Sequence, residues 1–326
     1  MINVSMLDIV KAHARIKPYI IKTPLICSPD ASRDTGGEIW FKMESLQLTG
    51  SFKMRGALNN ILLMSDEELE KGAVAVSSGN HAQAVAYAAG LRKSTAVLCV
   101  PETTPMTKRE GVMKYGGQLE IYGDTYDMAE IRARQIEQES GRKYIHGYES
   151  PETIAGQGTA ALEALLQESD FDTILVPTGG GGLLCGTAIA AKAINPAVKV
   201  YGLQTDTSPP WEKSFKQKKL DLSCEFKPTC ADGLEGVITW PNVELALTCV
   251  DDIIIVKEDS TRNGIKWMGE KHHYMIEGAS ATCLAALFEN RSFFKGKKVL
   301  CMISGSNINL SSFCSIVKNS DDGIYI

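Results

Sequence analysis

Ser51-Phe52-Lys53-Met54-Arg55-Gly56-Ala57 is the stretch on which the reading of this chain turns, and Lys53 is its centre. Upstream, Ile39-Trp40-Phe41-Lys42 is a short apolar run that reads as a strand, and Leu46 to Gly50 is a polar connection ending in glycine. Downstream, Gly56 to Met64 has helical spacing, with Ala57, Leu58, Ile61 and Leu62 on one side. Lys53 therefore falls near a loop-to-helix junction, where backbone N–H groups are free to face an anion. A lysine beside an aromatic, among small residues, is suited to be a desolvated amine that reacts with a carbonyl. The plainer alternative is a solvated lysine opening a helix, and three other stretches argue against it.

Each of these stretches follows a strand. Ser77-Ser78-Gly79-Asn80-His81 lies between the strand Val74–Ser77 and a helix from Ala82 to Gly90, so its hydroxyls and N–H groups suit a carboxylate or a ring oxygen. Thr178-Gly179-Gly180-Gly181-Gly182 lies between the strand 173–177 and a helix 182–193. Four consecutive glycines there permit the close backbone approach that a phosphate needs. The run is neither GxGxxG nor a P-loop, so one phosphate fits better than a dinucleotide. Ser304-Gly305-Ser306-Asn307 ends the last strand, 298–303, where ligands gather at the carboxyl ends of parallel strands. An aldehyde partner, a single-phosphate cradle and a lone hydroxyl at a strand end together suit pyridoxal 5'-phosphate.

The rest of the chain is consistent with such a scaffold. Further strands read at 95–100, 118–122, 144–146, 198–203 and 253–256, and helices at 5–17, 105–115, 125–141, 156–167, 259–271 and 278–289. Alternation at this spacing argues parallel α/β. The segment from Asp206 to Trp240 reads as a long surface excursion, with Lys213 to Lys219 a solvated helix face. A chain of 326 residues has room for about two domains. A net charge of −5 speaks against a nucleic-acid partner, and no apolar run is long enough for a membrane span. Nine cysteines without a CxxC, and five histidines without a zinc spacing, read as buried reduced thiols in a cytoplasmic protein with no metal site.

The motifs Ser51-Phe52-Lys53-x-Arg55-Gly56-Ala57, Ser78-Gly79-Asn80-His81 and the glycine tetrad resemble the fold-type II (tryptophan synthase beta-like) pyridoxal-phosphate enzymes. Within these the chain is most similar to the threonine/serine dehydratase (ammonia-lyase) and serine racemase branch, from Thr23-Pro24-Leu25 to Leu310. The resemblance implies two domains, each a mostly parallel sheet flanked by helices: 1–47 with 146–326 as the large one, and 48–145 as a small mobile one. It implies that Lys53 carries the Schiff base, that Phe52 packs beside the ring, and that Asn80 bonds the ring 3-hydroxyl. Gly179, Gly180, Gly181 and Gly182 would hold the phosphate with Leu183 closing the loop, Ser304 would face the pyridine nitrogen, and Glu277 would lie near the cofactor. Ser77, Ser78, Asn80 and His81 would receive the substrate carboxylate, and Arg55 would support the loop electrostatically.

The implied reaction is β-elimination from a 3-hydroxy amino acid, giving a 2-keto acid and ammonia, in a homodimer. A neutral serine at the pyridine nitrogen makes the ring a weaker electron sink, which favours loss of a β-substituent over a long-lived carbanion. Serine racemase is the alternative, because Ser78 matches the residue that delivers a proton on the face opposite Lys53. Against it, the racemase cation site corresponds here to Gln204, Ser208 and Pro210, which are poor ligands for magnesium or calcium, and Ala129 falls near the place of its substrate arginine. Ser306 stands where the resemblance leads one to expect glycine beside the ring. The loop 231–240 is expected to face the substrate β-carbon, with threonine, serine, 3-hydroxyaspartate and a bulkier 3-hydroxy amino acid all open as substrates. The chain ends at Ile326, close after the last strand, so no regulatory domain is expected. A β-replacement enzyme, a dinucleotide oxidoreductase and a catalytically dead relative fit less well: the first carries a different lysine context, the second needs the glycine fingerprint, and the third has no need of Lys53.

Overall fold

The computed structural model describes residues 2–320 apart from positions 208 and 237. Among them ten strands form two sheets: β1 Leu25–Cys27, β2 Glu38–Met43, β3 Ala73–Val76, β4 Ala96–Val100, β5 Gln118–Ile121, β6 Lys143–Tyr144, β7 Thr173–Pro177, β8 Lys199–Thr205, β9 Asp252–Val256 and β10 Lys298–Ile303. The larger sheet has the order β1-β2-β10-β7-β8-β9 and the smaller one β5-β4-β3-β6. All pairings are parallel except β1 with β2, an antiparallel edge that the sequence reading did not anticipate. β3, β7 and most of β10 are buried throughout, as expected for strands covered on both faces.

Three helices meet behind the central strands through glycine crossings. Helix Pro151–Leu165 is buried along most of its length and packs on both Lys53–Leu63 and Gly182–Ile194. A Cβ on Gly156 would lie 2.6 Å from the Gly56 Cα, and one on Gly186 would lie 2.6 Å from the Gly158 nitrogen. These contacts explain why the motif around Lys53 continues with Gly56-Ala57. Helix Lys53–Leu63 also gives Met54, Ala57, Leu58 and Ile61 to the core of the smaller sheet, where they meet Ala82 and Val85. It thus belongs to the packing on both sides.

Element starts differ from the expectation by up to five residues. The helices expected at 56, 82 and 156 begin at Lys53, Asn80 and Pro151, the last capped by the Ser150 hydroxyl on the Thr153 N–H. Helices Pro29–Thr35, Trp240–Cys249 and Leu310–Asn319 were not anticipated. The stretch 206–240 is more than a surface excursion: Trp211, in helix Pro210–Gln217, is fully buried. The thiols need a correction too, since all nine are free but Cys27 and Cys314 are exposed. No helix among the described residues is long and apolar enough to cross a membrane.

Candidate active site

A cavity of about 530 Å³ opens between the carboxyl ends of the two sheets. Its lining includes the residues expected to hold cofactor and substrate: Phe52, Lys53, Ser77, Ser78, Asn80, His81, Gly179 to Leu183, Glu277 and Ser304. The Lys53 loop is fastened to the end of β10. Ser51 and Gly305 form an antiparallel bridge, the Phe52 N–H donates to the Ser304 carbonyl (3.0 Å), and the Ser306 N–H donates to the Gly50 carbonyl (2.9 Å). This fastening, across some 250 residues of chain, brings Lys53 and Ser304 into one cavity.

Lys53 Nζ donates to the Gly147 carbonyl (2.7 Å) and lies 5.3 Å from the centre of the Phe52 ring. Burial lowers its amine to about 8, against the opposing pull of the Glu277 carboxylate. The neutral form, which reacts with aldehydes, is therefore well populated near neutral pH. Attachment of an aldehyde to Lys53 in the ligand-free protein should accelerate about tenfold per pH unit up to pH ~8 and level off above it. Following the growth of visible absorbance after mixing with pyridoxal phosphate at several pH values checks this. A rate that is flat across the same range would contradict it.

Behind Lys53 lies a buried cluster of two cations and two carboxylates. Arg55 donates through Nε to Glu44 (2.7 Å) and through a terminal nitrogen to Glu44 (2.8 Å) and Glu163 (3.0 Å). Lys42 donates to Glu163 and to the Thr23 carbonyl (2.7 Å), and the Thr23 hydroxyl donates to Glu44 (2.6 Å). Thr23, Lys42, Glu44, Arg55 and Glu163 are all buried. Arg55 is outside the cavity lining.

The glycine tetrad is held from behind by two side chains that the sequence reading missed. Trp211 Nε1 donates to the Gly179 carbonyl (2.5 Å), and Asn242 Nδ2 donates to the Gly180 carbonyl (2.5 Å). In a trans peptide the N–H points opposite to the C=O. The Gly180 and Gly181 N–H groups are thereby turned from these anchors, and the helix that starts at Gly182 has no side-chain cap. Glycine is required here: a Cβ on Gly180 would lie 2.2 Å from the Tyr148 ring, and Gly181 has φ +94 with Trp211 2.4 Å from a built Cβ. Converging N–H groups with no side chain to fill their cradle fit a phosphate. Trp211 and Asn242 carried no motif, and their distance in sequence from the tetrad hid them.

At the opposite wall, helix Asn80–Leu91 starts without a side-chain cap, so its first N–H groups face the cavity. The His81 side chain needs a correction. Its Nε2–H goes to the Ile145 carbonyl (2.8 Å), and burial lowers the ring to about 3, so it is neutral and its Nδ1 is only an acceptor. The ring has no proton to donate to a carboxylate, whereas the backbone N–H of the same residue does. Burial raises the Glu277 carboxyl to about 7, with Asn80 opposing the shift by donating to both oxygens at 3.0 Å. The Ser280 hydroxyl donates to the Gly305 carbonyl (2.7 Å) and stands 3.2 Å from the Ser304 hydroxyl. Its proton is committed, so Ser280 meets Ser304 as an acceptor, and the Ser304 hydroxyl must turn from Ser280 to donate to a ring nitrogen.

Three further positions named from the sequence find their places. The Ser306 hydroxyl donates to the Ser45 carbonyl (2.8 Å) outside the cavity, and Gly305 is the residue packed against Glu277. Ala129 is buried under β3 and β4, while Tyr126 and Asp127 line the cavity in its vicinity. Gln204 is buried and accepts the Trp211 backbone N–H (2.9 Å), and Ser208 lies outside the described residues. Among the described residues no group of three or more His, Cys, Asp or Glu could hold a metal ion.

A family model described as "Pyridoxal-phosphate dependent enzyme" matches residues 16–305. This chain belongs to the pyridoxal-phosphate-dependent enzymes. It is 39% identical to a serine racemase of Dictyostelium discoideum, over 97% of this chain and 99% of that one. It is 38% identical to an L-threonine ammonia-lyase of Thermotoga maritima, over 96% of this chain and 78% of the relative. The solved structure of maize serine racemase superposes with a TM-score of 0.90 at 35% identity, covering 96% of both chains. The fold is that of the fold-type II members of the family, and the cofactor is pyridoxal phosphate. An amine, a phosphate cradle and a neutral hydroxyl are already gathered in one cavity for this cofactor.

Proposed function

We propose that this enzyme eliminates water from a small, neutral 3-hydroxy amino acid of the serine and threonine type, giving a 2-keto acid and ammonia. The observation that carries the reading is the buried Lys53 amine, held at about 8, in one cavity with an uncapped helix start and a neutral serine. When bound, pyridoxal phosphate supplies an electron sink for cleavage of the bond from the substrate Cα to hydrogen. Lys53 takes that proton, and the free N–H groups at the start of helix Asn80–Leu91 hold the substrate carboxylate. Gly180 and Gly181 hold the cofactor phosphate, Asn80 its ring oxygen, and Ser304 its ring nitrogen through a hydroxyl that does not keep the nitrogen protonated. That weaker sink favours departure of the β-hydroxyl together with the proton. Residues 48–145, which contain the whole smaller sheet, form the small mobile domain in this reading; 1–47 and 146–326 form the large one.

The cavity mouth supports a neutral substrate side chain. Lys108 is paired with Asp232 (2.8 Å), and Asp127 and Glu235 add two more carboxylates to the lining. A second substrate carboxylate, as in 3-hydroxyaspartate, meets net negative charge there.

Serine racemisation is the second reading, favoured by Ser78 in the cavity lining. Elimination needs Lys53 on one face, whereas inversion needs a second proton donor on the other. Ser78→Ala is expected to lower D-serine formation and D-serine turnover by roughly a hundredfold or more, while keto-acid production from the L-substrate stays within about threefold of wild type. Chiral chromatography beside a keto-acid assay decides it. Equal loss of both activities would mean that the hydroxyl positions substrate, and wild type making D-serine faster than keto acid would reverse the order of the two functions.

A further inference from the structure

We infer that Glu277 and Asn307 together lock the Asn80 side-chain amide, fixing which of its two ends is offered to the cofactor. Three separate parts of the chain meet here: the first residue of helix Asn80–Leu91, the residue before helix Gly278–Glu289, and the loop after β10.

An amide side chain is nearly symmetrical in shape, so its orientation is set by its partners. Asn307 Nδ2 donates to the Thr49 backbone carbonyl (2.9 Å), an atom that can only accept, which fixes the Asn307 amide. That same nitrogen meets Asn80 at 2.5 Å, so Asn80 must present its oxygen there. On the other side, the ionised Glu277 carboxylate only accepts, so Asn80 presents its nitrogen, 3.0 Å from each carboxylate oxygen. The two demands agree. The N–H bonds of an amide diverge by about 120°, so one of them forks between the two Glu277 oxygens and the second remains for a ligand in the cavity. A reversed amide would set its oxygen against the carboxylate and offer an oxygen to the cofactor's ring oxygen. Glu277 and Asn307 are positioning residues in this scheme, and it rests on the assignment of Asn80 to the ring oxygen proposed above.

The test uses cofactor titration, the visible spectrum and denaturant unfolding, none of which depends on turnover. Asn307→Asp places an acceptor against the Asn80 oxygen while Glu277 still claims the nitrogen, so the amide is caught between two acceptors and its orientation is no longer fixed. It is expected to weaken pyridoxal phosphate binding about tenfold or more and to move the visible band to shorter wavelength. Asn307→Asp combined with Glu277→Gln gives both ends of the Asn80 amide a partner again, with the amide reversed, and leaves only the Thr49 carbonyl without its donor. Its unfolding midpoint should rise above that of Asn307→Asp while the weak binding and the shifted band persist. Wild-type affinity and band in Asn307→Asp would overturn the lock, as would recovery of both in the double variant. Should Asn307→Asp not fold, Asn307→Ala combined with Glu277→Gln frees one side and lets the other accept either end of the amide, so two bands from two amide orientations should appear; a single unshifted band would overturn the lock. Wild-type protein that bound pyridoxal phosphate and its 3-deoxy analogue equally would remove the Asn80 assignment itself, and the purpose of the lock with it.

Discussion

Lys53→Ala is expected to lower keto-acid production from L-serine or L-threonine by roughly a thousandfold or more, while the protein folds and still binds pyridoxal phosphate reversibly. The fold should tolerate the change because alanine is a good first-turn helix residue and the lysine amine has a single backbone partner, the Gly147 carbonyl. Removing it leaves the Ser51–Gly305 bridge, the Phe52 to Ser304 hydrogen bond and the Arg55 cluster in place. The glycine loop is likewise unaffected, because its anchors are Trp211 and Asn242. What disappears is the group that takes the α-proton and the group that attaches the cofactor, and these are the same nitrogen. Cofactor binding should therefore become removable by dialysis, and borohydride should no longer fix the label. A variant that kept more than a trace of turnover would deny Lys53 its role as base.

Arg55→Met should destabilise the protein by about 3–5 kcal/mol, because it leaves two buried carboxylates sharing one cation. Glu44 loses both of its guanidinium hydrogen bonds and keeps only the Thr23 hydroxyl. Burial alone would push the Glu44 carboxyl up, and Arg55 more than reverses this, so that it is held below the ordinary carboxylate range. The contribution of Glu44 to stability is thus present at neutral pH and is lost in acid, as pH falls through the lowered value. Arg55→Met should abolish much of this pH dependence and lower the midpoint of urea unfolding at pH 7. Pairing it with Glu44→Gln should restore part of the loss by removing the stranded charge. An Arg55→Met protein as stable as wild type would show that the cluster adds nothing net.

Much of the site was legible from local sequence. Lys53 stood out by its context, and the glycine tetrad and the Ser78–His81 loop each sat between a strand and a helix, where free N–H groups are a local property of helix starts. The parallel α/β class followed from alternation, because period-2 and period-3.6 patterns are written in neighbouring residues. A local sequence could not, however, show which groups close the site from outside. Trp211 and Asn242 turn the tetrad's carbonyls away from the cavity, and Asn307 fixes the Asn80 amide, yet none belongs to a motif. The side-chain partners of His81 and Ser306 could not be read locally because hydrogen-bond partners are chosen in space: Ile145 claims the imidazole proton and Ser45 the hydroxyl. The same holds for charge. Arg55 is an ordinary cation in the sequence, and only the convergence of β2, helix Lys53–Leu63 and helix Pro151–Leu165 puts it between Glu44 and Glu163, out of water. The sequence alone determined the fold class and the identity of the reactive groups, since both are properties of residue type and short spacing. Their proton states and orientations were decided by tertiary structure, because burial and partners exist only once distant segments have met.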